Sequence, residues 1–315
     1  MKPKIVVVGS SNTDLVMKLP RLPRPGETII GGSFSMAAGG KGANQAVAAS
    51  RAGGDVSFIA KVGNDVFGSK TIEGFKNDGL DAQFVDIVPE TASGIGLIFV
   101  DRNGENCIGV ASGANHELMP ADVEKAGGVI ASADILLLQL EIPLTTVEAA
   151  VRIASKAGVR VLLNPAPAQP LNPAFLKQIS VITPNENEVE ILTGIRISDD
   201  ASVTAAASKL RTQQIPAGVI TLGARGAFLS DEGKAEFVAS FRVESVDSTA
   251  AGDVFSGALA VALGERASLS DAVRFACAAA ALSVTRLGAQ PSAPRREEIT
   301  TFLTREAQRA GSTAG

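Results

Sequence analysis

Six short apolar runs, KIVVVG (4–9), VSFIAKVG (56–63), DILLLQLE (134–141), RVLLNP (160–165), SVITP (180–184) and GVITLG (218–223), recur along the chain with helix-length segments between them. None alternates polar with apolar residues, so each suits a strand that is covered on both faces. The intervening segments GANQAVAASRAG (42–53), PLTTVEAAVRIASKAG (143–158) and ASVTAAASKLRTQQ (201–214) are rich in Ala and spaced for helices. Two of them close on Gly, as helix ends often do. Strands alternating with helices predict an α/β fold: a largely parallel sheet with helices on both faces.

Two stretches break this rhythm. Residues from about 13 to 38 and from about 91 to 112 carry short strand patterns joined by turns such as DRNGE, without a helical spacing. They are expected to meet as a small β-layer, a flap set on the large domain. The C-terminal PRREEITTFLTREAQRAG reads as an amphipathic helix followed by a frayed tail.

Composition narrows the partners. With 315 residues, 45% of them hydrophobic, the chain can bury a large core. A net charge of -4 and no basic cluster predict neither nucleic acid nor an anionic membrane as a partner. No apolar run reaches the ~18 residues needed to cross a bilayer, and the strand pattern at the start predicts no signal peptide. Two distant cysteines, Cys107 and Cys277, suggest no disulfide framework. Together these features predict a cytoplasmic protein. The single histidine, His116, sits in a polar turn and is read as a solvated loop residue, so histidine-based triads and histidine-pair metal sites are not expected.

In open α/β sheets, ligands bind beyond the carboxyl ends of the strands. There the apolar runs lead into Asn12 and Asp14, Glu141, Asn164, Asn185 and Glu188, and Thr221 and Gly223. Each has an ordinary reading as a cap or turn residue; their convergence on one rim predicts a polar cleft. Phosphate-loop candidates fail in detail. GNDVFGSKT (63–71) has Ser where a P-loop needs Lys, IVVVGSSNTD lacks the later glycines of a dinucleotide fingerprint, and AAGGKGANQAVAAS follows Lys41 with Gly42 and then Ala43. In STAAGDVFSGAL (248–259), Ala250, Ala251 and Gly252 open a predicted helix whose first amides lack intrahelical partners, which makes an anion site. For Asp253, in the first turn, two readings stand open: it complements the helix dipole, or it takes a proton from a hydroxyl that attacks a phosphoryl group held on those amides.

AGGKGANQAVAA and DSTAAGDVFSGAL resemble the two signature segments of the PfkB carbohydrate kinase family. Within it, GSSNTD, PGET, NPAPA, ITPNENE, TLGARG and TRLGAQPS follow the order found in its ribose-phosphorylating members. The resemblance spans nearly the whole chain. It implies a Rossmann-like three-layer α/β/α domain with a small β-sheet lid, shared in a homodimer, and transfer of the ATP γ-phosphate to the 5-hydroxyl of D-ribose. By motif, it assigns sugar binding to Asn12, Asp14, Gly40, Lys41, Asn44 and Glu141, and the catalytic base to Asp253, with an anion hole at Ala250, Ala251 and Gly252. It gives Asn185 and Glu188 to the phosphates and their Mg2+, and Thr221, Gly223 and Gly226 to the nucleotide loop. A K+ site is implied at Asp247, Thr249, Ser283, Arg286, Gly288 and Ser292. Cys277 stands on the adenine side, where the family often carries His or Asn, so a weaker polar contact to the base is implied.

Overall fold

The computed structural model describes residues 1–313, with side chains to Arg309. Among these residues, thirteen strands form two sheets. They are β1 (Lys4–Val8), β2 (Asn12–Lys18), β3 (Ser33–Gly39), β4 (Asp55–Gly63), β5 (Asp81–Val88), β6 (Gly94–Val100), β7 (Asn106–Ala111), β8 (Ile135–Leu138), β9 (Arg160–Leu163), β10 (Val181–Ile182), β11 (Ala217–Thr221), β12 (Gly226–Ser230) and β13 (Ala235–Ala239). The main sheet runs β13-β12-β11-β10-β9-β8-β1-β4-β5. It is parallel from β11 to β5, and β12 and β13 add an antiparallel edge.

Successive residues of β1 feed opposite faces. Ile5 and Val7 join a core with helices Lys41–Arg51, Ala251–Gly264 and Leu269–Ser283. Val6 and Val8 join a second core with helices Leu144–Ala157 and Asp200–Thr212. This is the three-layer arrangement expected of unalternating apolar strands. The six apolar runs all became main-sheet strands. Several elements went unread, among them β5, the helix Val66–Asn77, the helix Leu269–Ser283 and the antiparallel edge strands β12 and β13. The second of these begins inside GNDVFGSKT.

The two stretches without helical spacing contribute β2, β3, β6 and β7, which pair as one four-stranded sheet in the order β3-β2-β6-β7. Only residues 9–11 separate β1 from β2, so the chain passes from the main sheet straight into the small one. The C-terminal helix runs Arg296–Thr313; the frayed tail expected after it falls on the last residues, outside the described ones. No helix among the described residues is long and apolar enough to cross a membrane.

Strand order reverses between β8 and β1. From β1 the sheet grows through β4 and β5 on one side and through β8 to β13 on the other. A crevice opens at such a switch point, and the small sheet stands at it.

Candidate active site

The helix Ala251–Gly264 is buried at every position from Asp253 to Leu263, so it lies inside the molecule rather than along its surface. It packs closely on the helix Lys41–Arg51: a Cβ at Gly257 would stand 2.7 Å from the Gln45 carbonyl oxygen. This approach sets Asn44 and Gln45 beside Asp253. Asn44 Nδ2 donates to Asp253 Oδ2 at 3.0 Å, and Gln45 Nε2 donates to Oδ1 at 2.9 Å. Asp253 is 6% exposed and gives no side-chain cap to its own helix. Its carboxylate is therefore aimed at the facing helix and the cleft, which disfavours a role confined to the helix dipole.

The network continues inward. Gln45 Nε2 also donates to Asn164 Oδ1 at 3.0 Å, and Gln139 Nε2 donates to Gln45 Oε1 at 2.6 Å. Asn164 Nδ2 reaches the Thr183 carbonyl at 3.0 Å, and the Thr183 and Ser256 hydroxyls lie 3.3 Å apart. With Asn44 and Asp253, all seven side chains of the network are buried. Burial raises the Asp253 pKa, and nearby Glu141 adds to this, while Lys41 and the two amide donors oppose it. A carboxylate held by neutral donors yet pushed upward by burial is suited to accept a proton.

Lys41 opens its helix after Gly40, which holds φ 86 and has no room for a side chain. Burial works against the ammonium charge, but Asp253, Glu141 and Glu188 together raise its pKa. The Lys41 amide and the Ser10 hydroxyl both donate to Glu141 Oε2, at 3.0 and 2.5 Å. Asn12 and Asp14 sit on β2 of the small sheet rather than in a rim loop. Asp14 lies between two strands that make space for it: a Cβ at Gly39 would come within 2.3 Å of Oδ2, and one at Gly96 within 2.6 Å of Oδ1. Burial first, then Glu141 and Asp253, push the Asp14 pKa up to about 6. Asn12 Oδ1 accepts from Asn115 Nδ2 at 2.7 Å.

Beyond Asp253 extends a cleft of about 190 Å³ lined by Lys41, Asn164, Thr183, Asn185, Glu188, Thr221 and the turn from Ala250 to Gly252. Ala250 holds a left-handed backbone, φ 59, before the helix starts. Ala251 N closes a turn on the Ser248 carbonyl at 3.2 Å; the amides of Gly252 and Asp253, with no helical turn before them, are left to face the cleft. Asn185 and Glu188 form a capping box: Glu188 accepts from the Asn185 amide at 2.8 Å and from Nδ2 at 2.9 Å, and returns its own N–H to Asn185 Oδ1 at 2.9 Å. Burial raises the Glu188 pKa against the pull of those bonds and Lys41.

Not every candidate lines this cleft. Gly226 is a packing requirement, since a Cβ there would meet the Val238 carbonyl at 2.1 Å, and Gly223 lies exposed in the turn before it. Cys277 is buried in its helix, and burial pushes its thiol up to about 12, as an inert thiol requires. His116 is exposed in the 3-10 turn Gly113–Glu117, as expected. Asp247 ties two loops together, accepting from Thr249 N at 2.9 Å and Gly288 N at 2.8 Å, and it is held below the ordinary carboxylate range by those bonds although burial opposes them. Ser292 is fully buried and donates to the Ala289 carbonyl; Ser283 back-bonds to Ala280, and the Arg286 guanidinium turns away to Glu298. The sequence reading missed Ser10, Gln45, Asn115, Gln139, Thr183 and Ser256. Gln139 was signalled as a lone amide inside LLLQLE, and Gln45 stands next to Asn44 in the Ala-rich GANQAVAA, positions where an unpaired polar group is costly.

A buried carboxylate between amide donors, a lysine among three acids and a helix start bare of side chains form one polar cleft at the sheet's switch point. The comparisons agree with what such a cleft can do. The model of the pfkB family carbohydrate kinases matches residues 2–296. The chain is 46% identical over 303 residues to the ribokinase of Haemophilus influenzae, covering 96% of this chain and 99% of that one. It is 37% identical over 300 residues to a deoxyribokinase of Salmonella typhi, covering 95% and 98%. The structure of Arabidopsis thaliana ribokinase complexed with ribose and ATP matches with a TM-score of 0.91 at 33% identity, over 96% of this chain and 99% of that one. The α/β/α layers, the small sheet at the switch point and the carboxylate at the helix start thus have one account: the chain belongs to the PfkB family of carbohydrate kinases.

Proposed function

We propose that the protein transfers the γ-phosphate of ATP to the 5-hydroxyl of D-ribose. The observation that carries the reading is Asp253, whose two oxygens are held by Asn44 and Gln45 at the start of a helix with bare amides. Asp253 takes the proton of the attacking hydroxyl, and the anion hole at the turn from Ala250 to Gly252, through those of its amides that are not closed on Ser248, bears the charge that develops on the transferred group. Asn12, Asp14, Gly40, Lys41, Asn44 and Glu141 bind the sugar. The buried Asn44 Oδ1 has no partner among the described residues, which suits a hydroxyl donor. Lys41, between Asp253, Glu141 and Glu188, joins the sugar half to the nucleotide half.

Asn185, Glu188, Thr221, Gly223 and Gly226 form the nucleotide side, and Cys277 offers the base packing rather than a hydrogen bond. The donor set near Glu188 suits Mg2+ bound chiefly through phosphates, since that ion needs only one or two protein carboxylates; bound there, it would neutralise phosphate charge. The oxygens of Asp247, Thr249, Ser283, Arg286, Gly288 and Ser292 suit K+, with Arg286 contributing its carbonyl. Because Asp247 already joins the segments on either side, the ion's place is to stiffen the turn at Ala250.

The small sheet, spanning about 13–38 and 91–112, acts as a lid that excludes water from the transfer. Its exposed Phe34, Met36, Leu97, Ile108 and Val110 suit a second copy of the chain, giving a homodimer through the lid. The setting is the cytoplasm. A second reading, 2-deoxyribose as acceptor, rests on the deoxyribokinase among the relatives. ADP release measured with ribose, 2-deoxyribose, fructose and adenosine, in K+ and in Na+, tests both. Ribose is expected to give the highest kcat/KM, with K+ above Na+; turnover with none of the four overturns the reading.

A further inference from the structure

The segment GNDVFGSKT looked like a phosphate loop with one wrong residue. In the structure the anion at this helix start is internal. Asp65 caps the helix Val66–Asn77 by accepting from Gly68 N at 2.8 Å, and the same carboxylate reaches across to the entry of the lid. Its Oδ2 accepts from the Ser93 amide at 2.7 Å and its Oδ1 from the Ser93 hydroxyl at 2.7 Å. That hydroxyl in turn accepts from Gly63 N, at the end of β4, at 3.0 Å. The bonds to Ser93 and Gly68 hold the Asp65 pKa below the ordinary range although burial opposes them. The join is close as well as polar. A Cβ at Gly63 would stand 2.2 Å from Ser93 N, and one at Gly68 would stand 2.1 Å from the Gly63 carbonyl oxygen.

Ser93 directly precedes β6, the lid strand that makes room for the sugar-side residues. Gly94 pairs with Asn12 and Gly96 with Asp14. A Cβ at Gly94 would meet Asn12 Oδ1 at 2.1 Å, so the position of β6 decides where the Asn12 and Asp14 side chains stand. We infer that Asp65 is a positioning residue for the sugar half of the site: it clamps Ser93 between the main sheet and the helix Val66–Asn77 and so fixes the strand against which Asn12 and Asp14 are set. The inference rests on the sugar kinase reading above. It predicts a loss on the sugar side alone, because the nucleotide cleft is built on β9 to β11 and the helix Ala251–Gly264 and shares no residue with the clamp.

The test compares four variants of the full chain with the wild type: Asp65→Ala, Ser93→Ala, the double variant of the two, and Asp199→Ala. Asp199 caps the helix Asp200–Thr212 far from the lid and reports what losing a cap does by itself. Charge-assisted hydrogen bonds of this kind carry enough energy for a change of about tenfold or more. Asp65→Ala is expected to raise the ribose KM at least about tenfold, with the ATP KM within about twofold of wild type. Ser93→Ala, which keeps the cap to Gly68, is expected to move the ribose KM in the same direction, and the double variant to be no worse than Asp65→Ala alone. Asp199→Ala is expected to lower Tm without moving either KM. If Asp65→Ala does not fold, Ser93→Ala decides. An unchanged ribose KM in the folded clamp variants, or an equal rise in both KM values, overturns the inference while the wild-type turnover of ribose stands; a wild type that turns over no sugar overturns the kinase reading instead.

Discussion

The two sheets differ in what surrounds them. Every residue of β8 is buried, and β1 is buried from Ile5 to Val8, whereas all six residues of β7 and most of β3 are exposed. Asp253, the base of the proposed reaction, belongs to the covered layer, where neutral amides from a neighbouring helix hold both oxygens. Asp14 belongs to the uncovered one, and is placed by the absence of side chains at Gly39 and Gly96 rather than by bonds to neighbours. The difference separates two tasks. On the proposed reading, the group that would meet a reacting atom is fixed by the core, and the groups that would bind the sugar sit on the less covered sheet.

The largest effect should follow from breaking the covered half. Asp253→Asn keeps the shape but removes the base, and kcat is expected to fall by about 10²- to 10⁴-fold, with ribose and ATP binding retained by calorimetry; near-normal turnover would remove Asp253 from its role. Next comes the uncovered half. Gly96→Ala puts a methyl against the Asp14 carboxylate and is expected to raise the ribose KM by about tenfold or more while the ATP KM stays put, since about 1.4 kcal/mol of lost binding is tenfold. If kcat fell and KM did not, the division between the halves would be wrong.

Gln45→Ala sharpens the same boundary. It removes one of the donors that oppose burial at Asp253 and leaves the Gln139 amide without its acceptor. The acid limb of the kcat profile is expected to move to higher pH, and urea unfolding to show a loss of about 1–3 kcal/mol. Gly96→Ala should leave that limb where it is.

The smallest effect concerns stability. Asp14 titrates near 6 in the folded chain, above its unfolded value of 3.8, so folding favours its protonated form. The stability it contributes is full below 3.8 and is lost as pH rises through 6. Asp14→Asn, neutral throughout, should therefore raise Tm at pH 7 and leave it nearly unchanged at pH 4, although sugar binding suffers. A drop in Tm at pH 7 would mean that the Asp14 charge has a favourable partner.

The layers of the fold were legible because unalternating strands admit few solutions: both faces must be covered, and Ala-rich helices with glycine stops supply the cover. The same logic missed β5, whose exposed and half-buried positions blur the apolar signal, and the helix Val66–Asn77, whose start was judged against a phosphate motif. Most candidate site residues were visible as polar groups after apolar runs. Gln45 and Gln139 were harder, because an amide in an apolar segment says that a partner must exist but not which one.

The amino-acid sequence by itself determined which segments must be buried, where they stop, and that small residues open the helix carrying Asp253, because periodicity, glycine placement and unpaired helix-end amides are local properties. Only the tertiary structure decided that Asn44 and Gln45 face Asp253, that Gly39 and Gly96 enclose Asp14, and that Asp65 grips Ser93. Those pairings join residues 209, 208 and 28 positions apart for the bonded pairs, and nothing short of the packing of helix on helix and sheet on sheet brings such groups within hydrogen-bond reach.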